Sequence, residues 1–75
     1  MTRARVYKLN RIKAVLAEQD VSQKELAAKL GISVNSITRY CNHSVQPPLI
    51  MLFLIAQALD VDMRELIIST KSGSK

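Results

Sequence analysis

The chain has 75 residues, of which 48% are hydrophobic and only 4% aromatic. Eleven basic residues against six acidic ones give a net charge of +5. A chain of this length forms one small domain, and its core must come from aliphatic side chains that favour helices. The charge favours a polyanionic partner, either a nucleic acid or an anionic membrane surface. Because Cys41 is the only cysteine, an internal disulfide is excluded and a reducing compartment, the cytoplasm, is indicated.

The first part of the chain predicts a short arm followed by a helix. Residues 1–5 carry two arginines without periodicity, and we expect them to form a mobile basic arm. Nothing here resembles a secretion signal, and the longest apolar run, residues 49–55, is too short to span a bilayer. A first helix is predicted over residues 6–18, because apolar side chains recur there at helical spacing: Leu9, Ile12, Val15 and Leu16.

Two further helices joined by a tight turn are predicted over residues 23–30 and 34–41. Ser22 and Glu25 have the spacing of a capping box, in which each side chain bonds the backbone N–H of the other residue. Gly31 follows the last apolar position of the second helix, where a positive φ commonly ends a helix. These two helices are too small to form a core alone. They can hold the third helix at a fixed angle and present its outer face to a partner.

The last part of the chain predicts two more helices after a proline-containing loop. Proline cannot continue a helix but suits its first turn, so a fourth helix is predicted to follow Pro48 over residues 49–59. Asp62 stands at the N-cap position of a fifth helix over residues 63–69. No sustained period-two alternation indicates a strand. The fold is predicted to be all-α, a compact bundle of five short helices over residues 6–69, with a disordered tail at residues 70–75.

No arrangement of residues in the sequence supports catalysis. The single histidine, His43, lies near Cys41, but the pair lacks further metal ligands or a base-orienting partner. Asp60 and Asp62 are more simply interpreted as loop and capping groups than as paired catalytic carboxylates. Two glycines cannot build a phosphate-binding loop. We therefore expect no enzymatic activity, no cofactor, no metal ion and no small-molecule ligand.

Three motifs resemble the Cro and phage-repressor-like helix-turn-helix family, also called the XRE family. They are SQKELAAKLGIS, then SITRYCN, then the segment from Pro47 to Asp62 with its ending ALDVD. The resemblance covers about residues 10–67. It implies a five-helix lambda-repressor-like domain whose third helix enters the DNA major groove, and dimers that bind palindromic operators.

The resemblance assigns DNA contacts to positions in this chain. Asparagine can pair with adenine and arginine with guanine, each through two hydrogen bonds, and valine can pack on a thymine methyl group. The implied base-reading residues are Val34, Asn35, Thr38 and Arg39. Phosphate contacts are expected where the second helix begins, at the cap and first turn of the third, and in the loop after it. These residues are Gln23, Lys24, Ser33, Ser36, Asn42, His43 and Ser44.

The chain also departs from the family pattern. Many members carry, at the position of Val34, a polar residue that bonds the glutamine at the position of Gln23, and valine cannot do so. His43 replaces a common glycine, so the loop after the third helix is expected to differ. Leu54 occupies a position that is commonly charged. Together with Ile50 it forms an apolar stripe that one small core cannot easily cover.

An exposed apolar stripe of this kind usually marks a partner site. We expect a homodimer interface on the fourth and fifth helices, and the alternative is burial of the same stripe under the N-terminal arm. The interface residues would be Ile50, Leu54, Met63 and Ile67.

The favoured function is sequence-specific binding of double-stranded DNA by a repressor-like transcriptional regulator that is cytoplasmic and associated with the nucleoid. One alternative is a helix-turn-helix module that mainly binds another protein, in an antitoxin-like or adaptor role. A basic module on anionic membranes is disfavoured, because no helix segregates lysine and arginine opposite a large apolar face.

Overall fold

The structure is a computed structural model that describes residues 7–71. The predicted all-α class is confirmed, with four α-helices and a final 3₁₀ turn in place of five helices. The elements are α1 Ile12–Gln19, α2 Gln23–Leu30, α3 Val34–Cys41, α4 Leu49–Leu59 and the 3₁₀ turn Met63–Leu66. The predicted arm at residues 1–5 lies outside the described residues, and so do residues 72–75 of the predicted tail.

The core is a cluster of small and aliphatic side chains to which every helical element contributes. Within each α-helix the contributing residues lie one, three or four positions apart, the spacing that places side chains on one face. Burying each larger aliphatic side chain stabilises the fold by roughly 1.5–3 kcal/mol. The buried residues are Ile12, Val15, Leu16, Leu26, Ala27, Ile37, Cys41, Ile55, Ala56, Leu59 and Leu66.

Each of the four α-helices is followed, within two residues, by a residue with positive φ. In each case the N–H of the next residue bonds the carbonyl five positions before it, at N–O distances of 2.9 to 3.1 Å. This is the Schellman arrangement, which satisfies carbonyls that the helix end would leave unpaired. The φ values are 58° at Asp20, 68° at Gly31, 65° at His43 and 57° at Asp60. Only one of these residues is a glycine, so three helix ends hold a side chain in a conformation that favours glycine.

Two predicted helices are shorter than the apolar spacing indicated. α1 begins at Ile12, not at residue 6, and ends one residue later than predicted, at Gln19. The predicted helix over residues 63–69 is only a 3₁₀ turn of four residues, after which Ile67 is extended. Leu9, which the periodicity placed on the buried stripe, is 44% exposed.

The reason for both differences is a pairing between the two ends of the domain. An isolated antiparallel bridge joins Asn10 to Ile67. Two backbone hydrogen bonds flank it, from Arg11 N–H to Leu66 O at 2.8 Å and from Ile68 N–H to Leu9 O at 3.0 Å. These bonds take backbone groups that longer helices would have paired locally. We call residues 7–11 and 66–68 the terminal seam.

Asn10 is the only buried polar residue in the described part of the chain, at 5% exposure. Its Oδ1 accepts from the N–H of Ile12 at 3.1 Å, which satisfies a donor at the start of α1. Its Nδ2 donates to Tyr40 O at 3.2 Å and to Gln46 Oε1 at 2.8 Å. Gln46 in turn donates to Tyr7 O at 2.9 Å. Asn10 therefore fastens the terminal seam to the last turn of α3 and to the loop before α4.

Candidate nucleic-acid interface

The α2–α3 pair is shaped by local signals that the sequence carries. Ser22 Oγ accepts from the N–H of Glu25 at 2.9 Å, and Glu25 Oε1 accepts from the N–H of Ser22 at 2.8 Å. The predicted capping box is thus confirmed. Because the Ser22 backbone N–H and hydroxyl favour the ionised carboxylate, they hold the pKa of Glu25 below its usual value. Ser33 Oγ caps α3 by accepting from the N–H of Ser36 at 3.2 Å.

α3 has one face in the core and one in solvent. Ile37 and Cys41 are buried, and burial raises the pKa of the Cys41 thiol. Neither the Asn35 amide nor the Arg39 guanidinium has a hydrogen bond or ion pair with another residue among positions 7–71, so both groups are available to a partner. The structure brings all four predicted base-reading residues together on the solvent face: Val34, Asn35, Thr38 and Arg39.

Gln23 is braced from α3, although not from the position that the family pattern suggested. The hydroxyl of Thr38 donates to Gln23 Oε1 at 2.7 Å. Thr38 lies four residues after Val34, which is one helical turn and the same face of α3. That spacing could have revealed the brace. The family resemblance assigns Thr38 to base reading alone, so it does not predict this brace.

The predicted phosphate-contacting residues lie at both ends of this surface. Gln23 and Lys24 begin α2, and Lys24 is exposed with no ion pair in the described part of the chain. At the other end, Asn42 Oδ1 accepts from the backbone N–H of Ser44 at 2.9 Å and also from the Ser44 hydroxyl. The loop after α3 therefore has a fixed shape set by its own side chains. That any of these residues contacts phosphate remains a prediction.

His43 differs from the other predicted contacts because it is half-buried. It lines a shallow cavity together with Lys13, Ala14 and Cys41. Its Nδ1 is buried and has no hydrogen-bond partner within residues 7–71. The φ of 65° places a side chain in a backbone conformation that favours glycine, and the expectation that this loop differs from the family pattern stays a prediction. A phosphate contact from His43 stays a prediction.

A second exposed surface lies on α4. Four apolar side chains on its outer side are exposed to solvent by 71, 63, 42 and 37%, and we call them the α4 apolar face: Leu49, Ile50, Phe53 and Leu54. Exposure of the predicted stripe is thus confirmed, and Leu49 and Phe53 extend it. Ile67 is also exposed but lies on the terminal seam, where it lines a cavity with Leu9 and Leu52. Met63 is half-buried against the core.

The family is established by comparison with known proteins. A family model described as helix-turn-helix matches residues 12–66. The chain belongs to the XRE-type helix-turn-helix family. This helix-turn-helix chain is also similar to the crystal structure of a candidate DNA-binding protein from Bacteroides fragilis. The two are 48% identical with a TM-score of 0.78, covering 80% of this chain and 97% of that one. A search of the curated proteins found no match.

The solvent face of α3 in this helix-turn-helix domain offers groups that form hydrogen bonds. No group of three or more His, Cys, Asp and Glu side chains within residues 7–71 is placed to hold a metal ion. None of the helices among those residues has the length and apolarity to cross a membrane. The α3 face offers an amide, a guanidinium and small side chains, which are groups that can pair with base edges.

Proposed function

We propose that this helix-turn-helix domain binds double-stranded DNA in a sequence-specific manner, with α3 in the major groove. One observation carries the proposal: on the same face of α3, beside a braced Gln23, Asn35 and Arg39 are exposed and their side chains have no partner among residues 7–71. An asparagine amide can bond the N6 and N7 atoms of adenine, and a guanidinium can bond the O6 and N7 atoms of guanine. The exposed Val34 would pack against a thymine methyl group.

Phosphate contacts would set the distance between α3 and the DNA. The start of α2 presents Gln23 and Lys24 together with unpaired backbone N–H groups, and a helix N-terminus attracts anions. Ser33, Ser36 and the loop after α3 would contact the phosphates on the other side of the groove. The net charge of +5 supports attraction that does not depend on sequence and that salt weakens steeply.

A dimer would carry two copies of α3, one for each half-site of a DNA operator. The α4 apolar face exposes four large side chains, and a second copy can cover them symmetrically. Two α3 helices related by a two-fold axis would then read the two halves of a palindromic operator. The function that fits is a repressor-like transcriptional regulator of the Cro type, cytoplasmic and associated with the nucleoid, without enzymatic activity and without a small-molecule ligand.

The test is selection of binding sites from a pool of random duplex DNA. Enrichment of a palindrome would support both base reading and dimerisation. Enrichment of a single half-site would support reading by α3 and count against the dimer. Equal binding to every duplex and to other polyanions would refute sequence-specific recognition.

A second function is favoured by the α4 apolar face. Apolar surface of this kind is typical of protein interfaces, so the domain could serve mainly as an antitoxin-like or adaptor module that binds another protein. The exposed hydrogen-bonding groups of α3 have no role in that function. A chain that selects no DNA sequence, remains monomeric in sedimentation and requires Ile50 and Leu54 to bind a protein would favour this alternative.

A further inference from the structure

We infer that Thr38 is a positioning residue for Gln23 and not a base reader. Its hydroxyl would hold the Gln23 amide so that the amide can only donate, toward a DNA phosphate. The inference rests on the proposed function, because it assigns a role within the same DNA-binding surface. It departs from the assignment of Thr38 to base reading that the family resemblance implied.

The first step concerns the polarity of the hydrogen bond. A threonine hydroxyl has one proton, and here it is directed to Gln23 Oε1 at 2.7 Å. The amide oxygen of Gln23 is therefore occupied, and both N–H groups of its Nε2 remain without a partner within residues 7–71. A phosphate oxygen accepts hydrogen bonds and cannot donate them. The bond from Thr38 thus selects the one amide orientation that suits a phosphate.

The second step concerns what Thr38 has left for a base. With its proton directed to Gln23, the Thr38 side chain keeps acceptor lone pairs and a methyl group but has no donor left for a base. Asn35 and Arg39 on the same face retain their donors. Base contacts on α3 that require a side-chain donor therefore fall to Asn35 and Arg39.

The third step concerns the geometry of the two helices. Among residues 7–71, this is the only side-chain hydrogen bond between α2 and α3. Gln23 is the first residue of α2, and Thr38 lies in the middle of α3. The bond therefore fixes the phosphate-facing end of one helix relative to the reading face of the other. Its loss would weaken contacts to every DNA sequence alike.

The experiment is a double-mutant cycle read on DNA. Thr38→Val replaces the hydroxyl with a methyl group of similar size, Thr38→Ser keeps the hydroxyl, and Gln23→Ala removes the acceptor. Affinity is measured for the selected operator and for operators with each base pair changed in turn. We expect Thr38→Val to lower affinity about three- to tenfold on all operators, as for one neutral hydrogen bond. Thr38→Ser should retain the affinity of the unmodified chain. In a chain that already carries Gln23→Ala, adding Thr38→Val should cause no further loss of affinity.

Other outcomes would overturn the inference. Thr38 reads a base if Thr38→Val relaxes the preference at one base pair and if its loss of affinity adds fully to the loss caused by Gln23→Ala. If Thr38→Val changes nothing while Arg39→Ala abolishes selectivity, the brace has no role and the proposed function still stands.

A second cycle, by urea unfolding of the same variants without DNA, tests the bond itself, and additive losses of stability would refute it. An unmodified chain that selects no DNA refutes the proposed function. The phosphate role of the brace then falls too, even where the unfolding cycle shows coupling.

Discussion

The outer faces of α3 and α4 belong to one small domain and differ completely in chemistry. Both helices are anchored through buried residues, Ile37 in α3 and Ile55 in α4, each 0% exposed. On its solvent side α3 presents polar groups with a single apolar residue, Val34. On its solvent side α4 presents four large apolar side chains. Both are short helices, so the contrast comes from side chains alone.

The contrast indicates two different partners. A hydrogen-bonding face loses little by remaining in water until it meets acceptors and donors arranged in the same pattern, as in a DNA groove. An exposed apolar face gains free energy only when another surface removes it from water. In the proposed function the domain meets DNA with α3 and a second copy of itself with α4.

The largest expected effect comes from making the α4 apolar face polar. Burying an isoleucine contributes about 1.5–3 kcal/mol, and one substitution acts twice in a symmetric dimer. Because Ile50 is already partly covered in the single chain, Ile50→Gln should weaken the dimer by about 2–4 kcal/mol, or roughly thirtyfold to a thousandfold in the dissociation constant. The fold itself should be unaffected, because Ile50 is 63% exposed. Sedimentation equilibrium measures the change.

A matched control places the same side chain on α1. Ala17 is exposed there, away from the α4 apolar face, so Ala17→Gln should leave association unchanged. The idea of a dimer through α4 fails if the unmodified chain is monomeric at tens of micromolar, with and without DNA. It fails equally if Ile50→Gln and Ala17→Gln associate alike.

The next effect tests the α3 face. Arg39→Ala should cost about 1–3 kcal/mol of binding to the selected operator and relax the preference at one base pair. Lys24→Ala is the comparison, since loss of a phosphate contact should weaken all sequences similarly and lower the salt slope by about one. Competition binding against operators with single changes measures both variants. Equal loss on every sequence after Arg39→Ala would assign that residue to phosphate.

The third effect concerns Asn10, whose hydrogen bonds join the terminal seam to α3 and to the loop before α4. Asn10→Ala removes hydrogen bonds to Tyr40, Gln46 and Ile12 and leaves buried partners unsatisfied, so stability should fall by about 1–3 kcal/mol. Gln46→Ala should cost less, because Gln46 is only half-buried. Urea unfolding gives both values. If the two variants lose the same stability, Asn10 is not the centre of this network.

These regions also differ in how far the sequence predicts them. α2, α3 and α4 have the predicted bounds because their signals are local: the Ser22–Glu25 box, Gly31 and Pro48. The terminal seam was missed because its partners are far apart along the chain. Arg11, for example, donates to the carbonyl of Glu65 at 2.8 Å across 54 residues. Apolar spacing alone predicted helices where long-range pairing makes the chain extended.

In the candidate site, too, some features follow from local sequence and others from long-range contacts. Which side chains of α3 face solvent follows from helical periodicity, and the exposure of Ile50 and Leu54 follows from the excess of apolar residues on α4. Helical spacing places Thr38 on the same face as Val34 and so makes it a candidate for the brace, but whether its hydroxyl reaches Gln23 depends on how α2 and α3 cross. The buried environment of Asn10 depends on the fold as a whole.

A smaller effect comes from His43, in the loop that follows α3. His43 has a φ of 65°, which costs a residue with a side chain about 1 kcal/mol. His43→Gly should therefore raise stability by about 0.5–1 kcal/mol, after the greater freedom of glycine in the unfolded chain is subtracted. Gly31→Ala is the reverse control. An added Cβ there meets nothing within 4 Å, so its expected loss of about 1 kcal/mol reflects backbone conformation alone. Destabilisation by His43→Gly would show that the ring is needed in its cavity.

The smallest effect is a difference between α2 and α4 in how their first turns respond to acid. Ser22 lowers the pKa of Glu25, so the carboxylate stabilises α2 above its usual pKa of 4.5 and loses this contribution as the pH falls through the lower folded value. Glu25→Gln keeps a capping amide but does not titrate. The stability difference between the two proteins should therefore shrink as the pH falls from 6 to 3. Among residues 7–71, α4 has no side-chain cap to lose, so the protection of first-turn amides, relative to the unfolded chain at the same pH, should fall in α2 and not in α4. A constant stability difference over this range would mean that the charge of Glu25 contributes nothing to the capping box.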